Sequence, residues 1–124
     1  MQYAMLVYFN EAEFLARPTG EQERLRNECA DWHEALLKKG KSSGASRLLP
    51  VATATTLRET NGKLVLIDGP FAETKEMLGG FVILECENLD EAVTLARNFP
   101  SLPAGFSLEI RPVMEDGVKR KTAP

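Results

Sequence analysis

From Gln2 to Phe9 nearly every side chain is apolar, with Tyr3, Met5, Val7 and Phe9 on one side of an extended chain and Ala4, Leu6 and Tyr8 on the other. Such a run predicts a strand covered on both faces. Residues 11–18 read as a loop. Thr19 with Gln22 three residues on is a capping-box signature, and it predicts a helix running to about Lys39. Leu25, Cys29, Trp32 and Leu36 fall at i, i+4, i+7 and i+11, a single apolar stripe on that helix. Lys38 and Lys39 suit its C-terminal dipole, and Gly40 suits the position after it.

Residues 41–44 form a loop before a short strand at 46–49, which Pro50 ends. Residues 53–60 and 63–67 are β-rich runs joined by Asn61-Gly62, a strong hairpin signal. Residues 80–86 predict another strand with two apolar faces, through Phe81, Val82, Ile83 and Leu84. Asn88 and Glu91 open a second helix with apolar positions Leu89, Ala92, Val93, Ala96 and Phe99, stopped by Pro100. The last strand, 106–113, sets Phe106, Leu108 and Ile110 on one face and Ser107, Glu109 and Arg111 on the other. Residues 114–124 read as a loose tail of one domain spanning residues 1–124.

The order is strand-helix-strand, hairpin, strand-helix-strand. Right-handed crossovers give a ferredoxin-like α+β sheet with two helices on one face. The opposite face should then be polar, yet the first strand and the strand at 80–86 are apolar on both sides. A second copy of the chain is the simplest cover, so the pattern predicts a homodimer.

Composition narrows the partners. The net charge of −3 gives no broad basic surface, which argues against nucleic acid or an anionic membrane. The basic cluster Lys119-Arg120-Lys121 reads as a solvated tail. Hydrophobic content of 44% with 27% charged residues is that of a soluble globular domain, and no apolar run is long enough to span a bilayer. The start of the chain lacks the features of a signal peptide, which points to the cytoplasm. Cys29 and Cys86 lie far apart in apolar patterns and are expected to be free thiols. With one histidine no standard zinc arrangement can be assembled, and no cofactor motif is present, so neither metal nor cofactor is expected.

Chemistry concentrates between the hairpin and the next strand. Asp68-Gly69-Pro70-Phe71 is followed by Glu73-Thr74-Lys75-Glu76 and then Gly79-Gly80. A loop so dense in ionisable groups is a candidate pocket wall. In that reading Asp68 points inward as a general acid or base, near His33 or Arg111. The competing reading makes Asp68 a turn cap. Glu73, Lys75 and Glu76 either bind a polar ligand or form local ion pairs of little strength. Phe71 is expected to be buried and to anchor the loop. Gly79 and Gly80 fit a bulge at the strand entry. His33 lies about 70° from the apolar stripe, at the border of the buried face, either facing a cleft or bonded to a neighbour. Arg111 either clamps an anionic group or pairs with a carboxylate such as Asp68, Glu73 or a neighbouring Glu109.

The run from Asp68 to Glu76, with Leu78-Gly79-Gly80-Phe81 behind it, resembles the signature of the DGPF proteins of the YCII-related family. Leu89-Asp90-Glu91-Ala92 and Ile110-Arg111-Pro112-Val113 also resemble that family's pattern. The resemblance implies a dimeric α+β barrel in which two ferredoxin-like sheets pack face to face. It implies a regulatory accessory role, since some DGPF proteins are associated with extracytoplasmic-function sigma factors. Shorter family members carry a His–Asp pair in a pocket, the histidine about eleven residues before the glycine that ends the first helix. Counting back from Gly40 reaches Cys29, with His33 one turn further on, so the pair does not carry over directly. Two functions follow from these residues. One is a small dimeric protein that binds a small polar ligand through Asp68, Phe71, Glu73, Lys75, Glu76 and Arg111. The other is a cofactor-free enzyme using Asp68, with or without His33, as acid and base.

Overall fold

The computed structural model of the protein describes residues 1–115. The predicted tail from 116 onward, with the cluster Lys119-Arg120-Lys121, lies outside the described residues. The elements in chain order are β1 (Gln2–Phe9), α1 (Glu11–Leu15), α2 (Thr19–Lys38), β2 (Ser42–Arg47), β3 (Thr55–Thr60), β4 (Lys63–Asp68), β5 (Met77–Glu85), α3 (Leu89–Ala96) and β6 (Ser107–Pro112). Strands β2, β5, β1 and β6 form one sheet in that order, antiparallel throughout. This is the ferredoxin-like α+β arrangement that the pattern predicts.

One face of the sheet builds the core. Tyr3, Met5 and Val7 of β1 and Val82 and Leu84 of β5 bury against Leu36 of α2 and Ala92 and Ala96 of α3. Met5 and Leu84 have no exposed surface at all. The other face carries Ala4, Leu6, Tyr8, Phe81 and Ile83, each half-buried. Hairpin β3–β4 stands apart as its own two-stranded sheet. Asn61 and Gly62 both take positive φ, as the tight primed turn between twisted strands requires.

Four sequence expectations need correction. Residues 11–15 are helical where a loop was expected: Asn10 Oδ1 accepts the backbone N–H of Glu13 at 2.9 Å, and Phe14 is buried. Thr19 does not cap α2. Pro18 occupies that position, its carbonyl accepting from Glu21 and Gln22. Gln22 instead reaches back to the carbonyls of Leu15 and Arg17, tying the end of α1 to the start of α2. Strand β2 begins at Ser42, ahead of the expected 46. As an edge strand it pairs only with β5, and its Ser-Ser-Gly-Ala sequence carries no apolar alternation. Finally, α3 ends at Ala96, and Phe99 packs into the core from the turn beyond it.

Strand β5 contains the expected irregularity. Val7 pairs with Gly80 and Tyr8 with Leu78, so Gly79 is an extra residue, a β-bulge. Neither Gly79 nor Gly80 has a positive φ. What they supply is missing bulk. A Cβ on Gly79 would meet Cε1 of Phe9 at 2.3 Å, and one on Gly80 would meet the carbonyl oxygen of Ser46 at 2.7 Å.

Candidate functional site

The N-terminal half of α2 stands off the sheet, leaving a cavity of about 610 Å³ beneath it. Five of the six phenylalanines and the single tryptophan line it: Phe81 from β5, and a run of rings made by Phe9 from β1, Phe14 from α1, Trp32 from α2, and Phe99 and Phe106 from the segments flanking the loop before β6. The rings of that run touch in sequence. Phe14 meets Phe9 edge-on at 5.7 Å, and Phe9 stacks on Phe106 at 4.9 Å and 9° between planes. Phe106 lies 6.4 Å from Phe99, which meets Trp32 edge-on at 5.3 Å. The stack is possible because bare Gly79 leaves room for the Phe9 ring.

Few polar groups enter this wall. Arg26, Cys29, Ala30 and His33 line the α2 side. They recur at i, i+3, i+4 and i+7, a second stripe beside the apolar one. The His33 Nε2 lies 2.8 Å from the Ser42 hydroxyl, which is buried. The Gly44 N–H donates to the same oxygen at 3.2 Å, while the Gly44 carbonyl is 3.3 Å away. Ser42 Oγ thus sits between the imidazole and the Gly44 backbone, and the direction of its bond to His33 follows the ring's tautomer.

Cys29 Sγ is 3.2 Å from the hydroxyl of buried Ser101. Burial raises the Cys29 thiol pKa, and the Ser101 hydrogen bonds and the charge of Arg47 only partly oppose it. The thiol therefore stays protonated at neutral pH and is a poor nucleophile. Arg47 enters from the edge strand β2, opposite Gly80. The Arg26 guanidinium lies over the Phe14 ring, 5.1 Å from its centre. The cavity's one acidic lining residue, Glu11, accepts the backbone N–H of Val51 at 2.9 Å and so ties down the rim.

The model of the YCII-related domain matches residues 1–115. The chain belongs to the YCII-related family. It is 39% identical over 114 residues to an uncharacterised protein of Rhizobium meliloti (strain 1021), covering 91% of this chain and 92% of that protein. Its fold is similar to that of 5-chloro-2-hydroxyhydroquinone dehydrochlorinase (TftG) from Burkholderia phenoliruptrix AC1100, solved in complex with 2,5-dihydroxybenzoquinone. That likeness has a TM-score of 0.52 at 20% identity, over 94% of this chain and 96% of the other.

The family motif and the cavity overlap only in part. Asp68 ends β4 and is exposed, and no hydrogen bond or ion pair joins it to His33 or Arg111 among the described residues. Phe71, expected to be buried, is 78% exposed, because the hairpin that carries it stands off the domain. The loop is held at its entrance instead: the Gly69 N–H donates to the Ala54 carbonyl, and Thr56 donates to the Gly69 carbonyl. Glu73, Lys75 and Glu76 are exposed, and Arg111 is exposed on β6 beside Ala4 of β1. None of these six lines the cavity. His33 does, and so does Cys29, the position reached by counting back from Gly40. The partner of His33 is Ser42, and no carboxylate among the described residues hydrogen-bonds to it. No group of three or more His, Cys, Asp or Glu is placed to hold a metal, and no helix is long and apolar enough to cross a membrane, among the described residues. Cys29 and Cys86 are free thiols, as expected.

The residues missed from sequence are Arg26, Arg47, Ser101 and the aromatic wall. Of these, the second stripe on α2 could have announced Arg26. The wall itself comes from segments that fold together from across the chain.

Proposed function

We propose that this protein binds a small organic molecule in the cavity between α2 and the sheet. The observation that carries this reading is an aromatic-walled space of about 610 Å³ in so small a domain. It lies within the roughly 300–1,000 Å³ range of ligand sites, and it has the usual make-up of an apolar wall with few polar groups. The ligand differs from the polar one that the loop composition suggested. That the TftG structure holds a small ring compound, 2,5-dihydroxybenzoquinone, is consistent with the reading, which rests on this chain's own residues.

We place the working unit as a cytoplasmic homodimer. The half-buried apolar face with Leu6, Phe81 and Ile83 supports it. So do Leu57, Leu64 and Leu66 on the hairpin, which are 60%, 71% and 73% exposed. Light scattering at micromolar concentration should give twice the chain mass, and a monomer would refute it.

A second reading is favoured by His33. The ring lines the cavity with Nε2 paired to Ser42, where it can exchange a proton with a bound ligand, as a cofactor-free enzyme would need. The binding reading is tested by filling the space. Ala45, an exposed cavity-lining residue on β2, tolerates a larger side chain without loss of core packing. Ala45→Trp should keep the melting temperature and abolish binding of ligands found by screening a metabolite panel. Unchanged binding would place the ligand elsewhere. His33→Gln separates the two functions: it leaves affinity within a few-fold but removes any turnover.

A further inference from the structure

We infer that the cavity selects an aromatic carboxylate, its ring against the phenylalanine wall and its carboxylate on Arg47 at the mouth. This rests on the reading of the cavity as the ligand site. The wall selects for rings: Phe9 and Phe106 stack in parallel, and Phe14 presents its edge to both, at 5.7 and 5.9 Å. A flat ligand continues such a pattern through offset or edge contacts.

An aromatic wall also suits a cation, so charge has to decide. The cavity is lined by two arginines and one glutamate. Glu11 is committed to the Val51 N–H, and neither Arg26 nor Arg47 belongs to an ion pair among the described residues. Arg26 is already laid over Phe14. Arg47 has no such engagement, and its charge acts on Cys29 on the α2 side. The lining therefore carries uncompensated positive charge, which repels a cationic ligand. A guanidinium fork matches a carboxylate with two parallel N–H donors. Beyond the two arginines and Glu11 the polar lining residues are Cys29, His33, Ser46 and Ser101, enough for one further hydroxyl or carbonyl on the ring.

The test uses N-phenyl-1-naphthylamine, a neutral fluorophore, as a reporter of the cavity. Its fluorescence should rise on binding to the full chain and should not rise with Ala45→Trp. 2-Naphthoate should displace it at least tenfold more strongly than 2-naphthalenemethanol, which has the same rings without the charge. Arg47→Met should weaken 2-naphthoate at least tenfold while changing the fluorophore's Kd less than twofold, and Arg47→Lys should recover part of the loss. Equal displacement by the acid and the alcohol would overturn the inference and leave the cavity reading standing. So would an acid preference that survives Arg47→Met. Absence of any fluorophore binding would overturn both.

Discussion

The bulge in β5 permits a sharp test, because one missing methyl decides where an aromatic ring can lie. In Gly79→Ala the new Cβ would sit 2.3 Å from Cε1 and 2.8 Å from Cδ1 of Phe9. Contacts that short force the ring to move. The ring is stacked on Phe106 at 4.9 Å and meets Phe14 at 5.7 Å, so displacement loosens two aromatic contacts together. Each is worth about 0.5–1.5 kcal/mol beyond its buried area. Overpacking by one methyl costs about 1–3 kcal/mol where the surroundings cannot yield, but the adjacent cavity lets the ring swing, which favours the lower end. The expected loss is about 2–3 kcal/mol, or roughly 6–12 °C in melting temperature for a domain of this size. Urea denaturation should show the midpoint falling with the slope unchanged. The cause is then isolated by a double-mutant cycle with Phe9→Ala, in which Gly79→Ala should cost less than about 0.5 kcal/mol, as at an unconstrained site. A loss of the same size in both backgrounds would refute the steric argument, and so would a loss below 0.5 kcal/mol in the wild type.

Gly20 makes the opposite case. It lies in the first turn of α2 with open space around its missing Cβ, so Gly20→Ala should stabilise by about 0.5–1 kcal/mol, measured by the same denaturation. Asp68→Asn should leave stability within about 0.5 kcal/mol and should not touch binding in the cavity, because Asp68 is exposed. Loss of binding in that variant would return the loop to the site. At the other end of the fold, Lys41 and Glu91 pair at 2.6 Å. The Lys41 hydrogen bond holds the Glu91 pKa below the ordinary carboxylate range. A depressed carboxylate pKa contributes stability that is present above the unfolded-state value of about 4.3 and lost as pH falls through the folded-state value. The difference in melting temperature between the wild type and Lys41→Met should therefore be present at pH 7 and shrink towards zero well below pH 4. A difference independent of pH would show that the pair acts through packing alone.

The parts of the fold legible in the sequence are those whose burial shows as a pattern within one continuous segment. β1 and β5 are apolar on both faces because they are the two central strands. The stripe Leu25, Cys29, Trp32 and Leu36 places α2, and Asn61-Gly62 places the hairpin. The elements missed have their reasons elsewhere. α1 rests on one cap and one buried ring, too little periodicity to register. β2 is an edge strand whose pairing is all backbone, so Ser and Gly serve as well as Val would.

Density of charge drew the sequence reading to the loop after β4, whereas the cavity lies under α2. Around Asp68, Glu73, Lys75 and Glu76 the charges are exposed beside a hairpin that forms its own sheet, and none of the four belongs to an ion pair among the described residues. The cavity has the reverse character: its informative residues are apolar rings, and its polar groups are few and spread along the chain. One segment of the family motif nonetheless belongs to it. Gly79 lets Phe9 lie flat against Phe106, and Gly80 lets the β2 backbone approach close enough to set Arg47 at the mouth. The motif's contribution to the site is therefore made by two residues with no side chain, while its charged residues stand outside.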